Sequence, residues 1–217
     1  MNNIELADRF QKCFSSVVHD VMRNMGFKQF TLPPTIKPIK QNHKICSQIF
    51  TVEGEVGKTF THHETLLAWT GLLSKAPKEK IIICQPNNQT IALMGELSAE
   101  TLQDKKIRGY IVDGGCRDLE FILNIDFPVW CKFFTPLDVV GYWKPTHFEQ
   151  TITIGDVSIN NNDYALADID GVVIIPLNHA EEILLKSEEL VSTENLVRKA
   201  IKEGMDPQEA YLKYSVF

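Results

Sequence analysis

The 217-residue sequence has no stretch near the ~18 consecutive apolar residues that a membrane-spanning helix requires. Its opening, Met1 to Arg9, is polar and helical in pattern rather than the apolar core of a secretory leader, so no signal peptide is expected. Its five cysteines (Cys13, Cys46, Cys84, Cys116 and Cys131) are odd in number and scattered, without a Cys-x-x-Cys pair. That argues against a disulfide framework and a thiolate zinc site, and points to reduced thiols in a cytoplasmic protein. The Asn88-Gln89-Thr90 sequon is therefore expected to stay unmodified. Positive charge is scarce too: 22 Lys and Arg face 28 Asp and Glu, a net charge of −6, the reverse of a phosphate-coating surface. Neither nucleic acid nor membrane is expected as a partner. Internal repeats, linkers and low-complexity segments are also missing. What remains is an ordinary globular composition, 44% hydrophobic and 23% charged, on a chain long enough to bury a sizeable core.

Helical periodicity opens the chain, with Leu6, Phe10, Cys13, Phe14, Val17, Val18, Val21, Met22 and Met25 on one face and Gly26 placed to end it. This predicts one N-terminal helix over residues 3–25. The prolines of Leu32 to Pro38 rule out helix and predict a loop leading into a strand over Ile45 to Val52. Residues 61–74 form a second helical stretch, with Leu66, Leu67, Leu72 and Leu73 as candidate core. Strands at Lys80–Cys84, Gly109–Asp113 and Pro128–Phe133 alternate with helices at Leu97–Lys106 and near Arg117, the succession of parallel βαβ units. Thr151–Ile154, Tyr164–Ala167 and Val172–Ile175, separated by turn-rich segments, read as an antiparallel hairpin region. Helices over 178–215 close the chain, the last opened by Asp206-Pro207-Gln208-Glu209. The reading is one mixed α/β domain spanning 1–217, with a core over 45–176 and helical termini.

Charged chemistry concentrates in Asp113-Gly114-Gly115-Cys116-Arg117-Asp118, at the carboxyl end of a buried strand, where open α/β sheets bind ligands. The two glycines allow a tight turn and close ligand approach. On spacing alone, a capped connection with a surface salt bridge fits this segment equally well. Gly95-Glu96-Leu97-Ser98 precedes a helix, whose N–H groups can cradle a carboxylate, although a glycine and a glutamate at a helix start are also common capping chemistry.

Together, Gly95-Glu96-Leu97, Gly109 to Asp118, Pro128-Val129 and Thr135-Pro136 resemble the core signature of the RraA-like family. That family includes 4-hydroxy-4-methyl-2-oxoglutarate aldolases with oxaloacetate decarboxylase side activity, and the regulators of ribonuclease activity. Asp168 to Pro176 is similar to the family's closing strand, Ser16 to Val21 to its N-terminal helix and Thr51-Val52 to its early strand. The resemblance implies a three-layer β/β/α swivelling-type fold with mixed sheets, assembled as a homotrimer or homohexamer with sites near subunit boundaries. Carried over by position, Asp118 binds a divalent metal, Mg2+ or Mn2+, whose shell water completes. Arg117 contacts substrate, Gly95, Glu96, Leu97 and Ser98 hold its carboxylate, and Glu96 orients or deprotonates a metal-bound water. The implied activity is a lyase cleaving a small 2-oxo diacid to pyruvate through a metal-stabilised enolate, by retro-aldol cleavage, oxaloacetate decarboxylation or both. The alternative is a protein-binding regulator of ribonuclease activity without catalysis. A third possibility is an aldolase for a sugar acid, which would want a more polar pocket. In some aldolase members a neighbouring subunit's tail adds a carboxylate, for which Glu194, Glu203 and Glu209 are the candidates here.

Other features read as structural. The adjacent His62 and His63 lack the i, i+4 spacing of a zinc helix. His19 belongs to the core or an interface, and Cys116 is a packed thiol. Lys105 and Lys106 meet solvent at a helix end rather than forming a Schiff base. Asp168 to Gly171 is hairpin chemistry, and Trp69, Trp130 and Trp143 are core or interface.

Overall fold

The computed structural model describes residues 1–217. The helix expected over 3–25 is two helices, α1 (Asn3–Phe10) and α2 (Ser15–Asn24). The cause lies far along the chain, in the buried carboxylate of Asp168. Ser15 donates its backbone N–H to one Asp168 oxygen at 2.8 Å and its hydroxyl to the other at 2.6 Å. Asp170 N–H also donates to this carboxylate, at 3.0 Å. A helix must begin where its first N–H groups find such an acceptor, and the carboxylate suits the positive end of the helix dipole. The apolar face survives the break, since Leu6, Phe10, Cys13, Val18, Val21 and Met22 all remain buried, but Phe14, in the break, is exposed.

Beyond the proline-rich loop come β1 (Lys37–Pro38) and β2 (Ile45–Val56). Then follow α3 (His62–Lys75), β3 (Ile81–Gln85), α4 (Glu96–Asp104), β4 (Gly109–Val112), β5 (Gly115–Cys116), α5 (Leu119–Ile125), β6 (Val129–Cys131) and β7 (Phe133–Phe134). The rest comprises β8 (Trp143–Phe148), β9 (Ile152–Ile154), β10 (Val157–Ile159), β11 (Tyr164–Ala167), β12 (Val172–Ile175), α6 (Ala180–Lys202) and α7 (Pro207–Tyr214). The main sheet runs β1-β6-β4-β3-β2-β11-β12, with β8 also paired to β2. Its centre, β2, β3, β4 and β6, is parallel, as the alternating pattern predicts, and its flanks are antiparallel. Asp206 caps α7 through the N–H groups of Gln208 and Glu209, with Pro207 at the first helical position, as expected.

Period-two alternation sorts each strand between two faces. Ile82, Cys84, Tyr110, Val112 and Val129 face the helices, in a core with Leu72, Ala99 and Ile122. Tyr164, Leu166, Val173 and Ile175 continue that face under α1, α2 and α6. The opposite face carries Ile49, Ile81, Ile83, Ile111 and Trp130, covered by Ile152, Ile154, Val157 and Ile159 of the β9–β10 hairpin. Hairpin, sheet and helices make the β/β/α sandwich. Of the four leucines expected in the α3 core only Leu72 is buried; Leu66 and Leu67 are exposed and Leu73 is half-buried. Trp69 and Thr65 supply the buried stripe instead. Trp130 and Trp143 are fully buried, as expected of core residues. No helix is long and apolar enough to cross a membrane.

Because Asp168 caps α2 from across the fold, Asp168→Ala should lower stability to urea by about 2 kcal/mol, through the lost cap and its unsatisfied donors. Asp168→Asn, which keeps an acceptor, should cost less. An alanine variant within about 0.5 kcal/mol of the parent would show that the α1–α2 break does not depend on this carboxylate.

Candidate active site

The parallel strands all end on one edge, and there the chain after β4 makes an unusual path. Asp118, at the N-terminus of α5, takes a left-handed backbone conformation with φ 55° and ψ 39°. For a residue with a side chain this is costly, and it persists only where surroundings fix it. The fixing partner is the segment before α4. Gly115 N–H donates to Ile91 O at 3.1 Å, Leu93 N–H to Gly115 O at 2.9 Å and Arg117 N–H to Met94 O at 3.0 Å. This ladder carries Gly95 and the start of α4 against Arg117 and Asp118, and Glu96 N–H donates to Asp118 Oδ2 at 3.0 Å.

Gly95 is needed for contact rather than for a turn, since its backbone is extended at φ −152°. A Cβ there would stand 2.7 Å from Asp118 Oδ2 and 3.1 Å from Arg117 Nε. Gly114 and Gly115 do not serve the expected tight turn, since neither has a positive φ. A Cβ on Gly115 would meet Ile91 O at 2.8 Å and Phe133 at 2.6 Å, so that glycine allows strands to pack.

The Arg117 guanidinium lies between two acids. Its Nη1 donates to Asp138 Oδ2 at 3.0 Å, and its Nε lies 3.5 Å from Asp118 Oδ2. The other Asp138 oxygen accepts from Val140 N–H at 3.1 Å, which fixes the carboxylate. All three side chains keep 38% of their surface exposed. They border a cavity of about 670 Å³ that also touches Gly95, Glu96, Leu97 and Ser98. A smaller one of about 360 Å³ lies on the Cys116 and Phe134 side of the same pair. A larger groove of about 940 Å³, between α1 and the start of β3, contains none of these residues.

The structure thus brings together Arg117, Asp118, Gly95 and the backbone of Glu96. The Glu96 residue is exposed, with no hydrogen-bond or ion-pair partner for its carboxylate, and Leu97 is 74% exposed. Ser98 Oγ accepts the Trp69 indole N–H at 2.8 Å. Asp113 points elsewhere, pairing with Lys132 at 2.5 Å. Asp138 escapes sequence reading because no local pattern links it to an arginine 21 residues away. Cys116 is fully buried, and the adjoining Cys131 thiol, with burial, holds it protonated far above the ordinary thiol range. Lys105 does not merely meet solvent: its ammonium donates to the Leu73 and Ser74 carbonyls at the end of α3. Glu64, beside the paired histidines, forms a capping box with Thr61, whose N–H holds its carboxyl below the usual range.

The donor set fits a hard divalent cation. Asp118 gives one oxygen to Glu96 N–H and leaves the other without a partner in the chain. One positive side chain, Arg117, borders the cavity together with three carboxylates, Asp118, Asp138 and Glu96, so its lining keeps an excess of negative charge. No three His, Cys, Asp or Glu side chains converge anywhere to make a closed cage. An ion held by one carboxylate and otherwise by water is the habit of Mg2+.

The RraA-like family model, Aldolase/RraA, matches residues 15–174. Protein DlpA of Legionella pneumophila is 26% identical over 96% of this chain, which spans only 34% of DlpA's length. A Halalkalibacterium halodurans protein named "Putative 4-hydroxy-4-methyl-2-oxoglutarate aldolase" is 26% identical, with 97% of this chain and 95% of that protein covered. Among solved structures, one described as novel cellulases from microbes associated with the gut ecosystem is 31% identical, with a TM-score of 0.85 over 90% of this chain and 87% of the other. Streptomyces coelicolor RraAS2, described as an unusual member of the RNase ES inhibitor RraA protein family, shares the fold at 19% identity. Its TM-score is 0.81 over 90% of this chain and 97% of its own.

Gly95→Ala should keep the fold but push Asp118 aside. Mn2+ affinity, followed by electron paramagnetic resonance, is expected to fall on the order of tenfold or more. Unchanged affinity in the folded variant would mean that the close approach at Gly95 has no bearing on cation binding.

Proposed function

The chain belongs to the RraA-like family, and on that premise we propose that it is a divalent-metal-dependent carbon–carbon lyase acting on a small 2-oxo acid to release pyruvate. The observation that carries the reading is the juncture of Asp118, Arg117 and the α4 N-terminus, which brings a carboxylate with one unpartnered oxygen, a fixed positive charge and free helix N–H groups to one cavity. Asp118 is the residue to hold Mg2+ or Mn2+. When bound, such an ion supplies Lewis acidity to the keto and carboxylate oxygens of a 2-oxo acid and lowers the cost of the charge left at C3 when its bond breaks.

The chain's own residues do the rest. Glu96 N–H is taken by Asp118, so the next N–H groups of the first turn, those of Leu97 and Ser98, are the donors left for the substrate carboxylate. Arg117, held in orientation by Asp138, sets its planar fork toward a carboxylate or enolate oxygen. Glu96, exposed and unpaired at the rim, takes up the proton released from the substrate hydroxyl. Retro-aldol cleavage and β-decarboxylation leave the same enolate, so one site serves both.

The exposed leucines Leu67 and Leu137, with Leu97 at the cavity's rim, form surface of the kind that oligomer contacts cover, in keeping with the homotrimer or homohexamer that the resemblance implies. The same surface supports the second reading, a protein-binding regulator of ribonuclease activity, the role named for the Streptomyces relative's family. Metal-dependent pyruvate release argues for the first. Capture of a large partner in metal-free buffer, with no turnover, argues for the second.

Pyruvate should appear from oxaloacetate or a 4-hydroxy-2-oxo acid in the presence of Mg2+ or Mn2+, and EDTA should abolish it. Asp118→Ala should remove the metal-stimulated rate while keeping a cooperative unfolding transition, at modestly lower stability. Arg117→Lys should lower kcat/KM on the order of a hundredfold, because an ammonium lacks the bidentate fork. A folded Asp118→Ala protein with full turnover would sink the assignment.

A further inference from the structure

Beyond the reactive end, the cavity has a second wall, and its chemistry differs. It is formed by α3 and by the segment after Asp138, and it presents Leu66, Trp69, Leu73, Val139 and Val140. The neutral hydroxyls around the cavity, Thr70 on α3 and Thr101 and Ser98 on α4, are engaged by the protein itself. Thr70 Oγ donates to the Leu66 and Leu67 carbonyls at 2.9 and 3.1 Å, and Thr101 Oγ donates to Leu97 O at 2.6 Å. Ser98 Oγ is engaged by the Trp69 indole. Among all the residues bordering the cavity Arg117 is the only cation, and it already faces Asp118 and Asp138.

A 2-oxo diacid brings two carboxylates. The first has the α4 N-terminus and Arg117. The second would lie against aliphatic and indole surface with no cation and almost no free donor, and a charge removed from water without a partner is strongly disfavoured. An alkyl or aryl group in the same place is stabilised in proportion to the apolar area it buries.

We infer that this site prefers 4-hydroxy-2-oxo monocarboxylic acids with an apolar substituent at C4 over the diacids that the family resemblance suggests. The inference rests on the lyase reading above. In the reaction the C3–C4 bond breaks and the C4 hydroxyl gives its proton to a base. The O–H electron pair becomes the carbonyl of a released apolar ketone or aldehyde, and the bond pair passes to C3 as the enolate of pyruvate, which a proton then quenches.

The test compares two substrates differing in one group, with the 217-residue chain loaded with Mg2+ and pyruvate release as readout, halved for the diacid because its cleavage yields two pyruvates. One is 4-hydroxy-4-methyl-2-oxopentanoate, which yields acetone. The other is 4-hydroxy-4-methyl-2-oxoglutarate, in which a carboxylate replaces one methyl. The monoacid should show kcat/KM higher on the order of tenfold, mostly through a lower KM. Higher kcat/KM for the diacid would overturn the inference and leave the lyase reading standing, whereas no cleavage of either, or of oxaloacetate, would take both down. Thr70→Arg adds a cation at an exposed position on this wall. It should move the ratio toward the diacid, and an unmoved ratio in a folded variant would place the far end of the substrate elsewhere and overturn the inference.

Discussion

Two loops at the carboxyl edge of a parallel sheet can join their functional groups only if nothing fills the space between them, and here that space is the size of one missing Cβ. At Gly95 the start of α4 comes close enough for Glu96 N–H to reach the Asp118 carboxylate. That hydrogen bond joins the β3–α4 connection to the β4–α5 connection. It sets Asp118 at the N-termini of two helices and fixes the wall against which Arg117 lies. A methyl group at residue 95 would separate them without touching the core.

The electrostatics follow from this closure. Helix N-termini favour negative charge, which helps explain why carboxylates can crowd here with only Arg117 among them. The crowding leaves the cluster short of positive charge, and a cation of charge two is the species that would balance it. The polar business is confined to one side of the cavity. The α3 wall turns its Thr70 hydroxyl back onto the Leu66 and Leu67 carbonyls and offers hydrocarbon. On the lyase reading, a site divided in this way would distinguish the two ends of a substrate by charge before any shape matching is considered.

Much of this was legible in the sequence, for identifiable reasons. The parallel order of β3, β4 and β6 follows from short apolar strands alternating with helices, and the α7 cap from Asp206-Pro207. Arg117, Asp118 and Gly95 could be named because two short motifs carry them. What escaped depends on contacts distant in sequence. The break between α1 and α2 is imposed by Asp168, 153 residues beyond Ser15, and helical periodicity runs through the break without registering it. Asp138 reaches Arg117 only through the fold. Leu66 and Leu67 were expected in the core because leucine in a helix usually faces inward. Yet α3 offers Thr65, Trp69 and Leu72 to the sheet and keeps those two leucines out.

Asp118 joins its contact with Glu96 to a backbone conformation that few residues with side chains adopt. Its left-handed conformation costs on the order of 1 kcal/mol or more, and a glycine at that position would avoid the cost. A glycine, however, could neither accept from Glu96 N–H nor offer a second oxygen to a ligand. The strain is offset locally, by the backbone ladder from Ile91 to Arg117 and by the charge-assisted bond to α4. Removing the carboxylate therefore leaves a strained backbone with its hydrogen-bond partner gone, whereas adding a cation to the unpaired oxygen places a further partner on the side chain. Backbone strain and an oxygen without a partner in the chain are thus tied to a single residue at the border of the cavity.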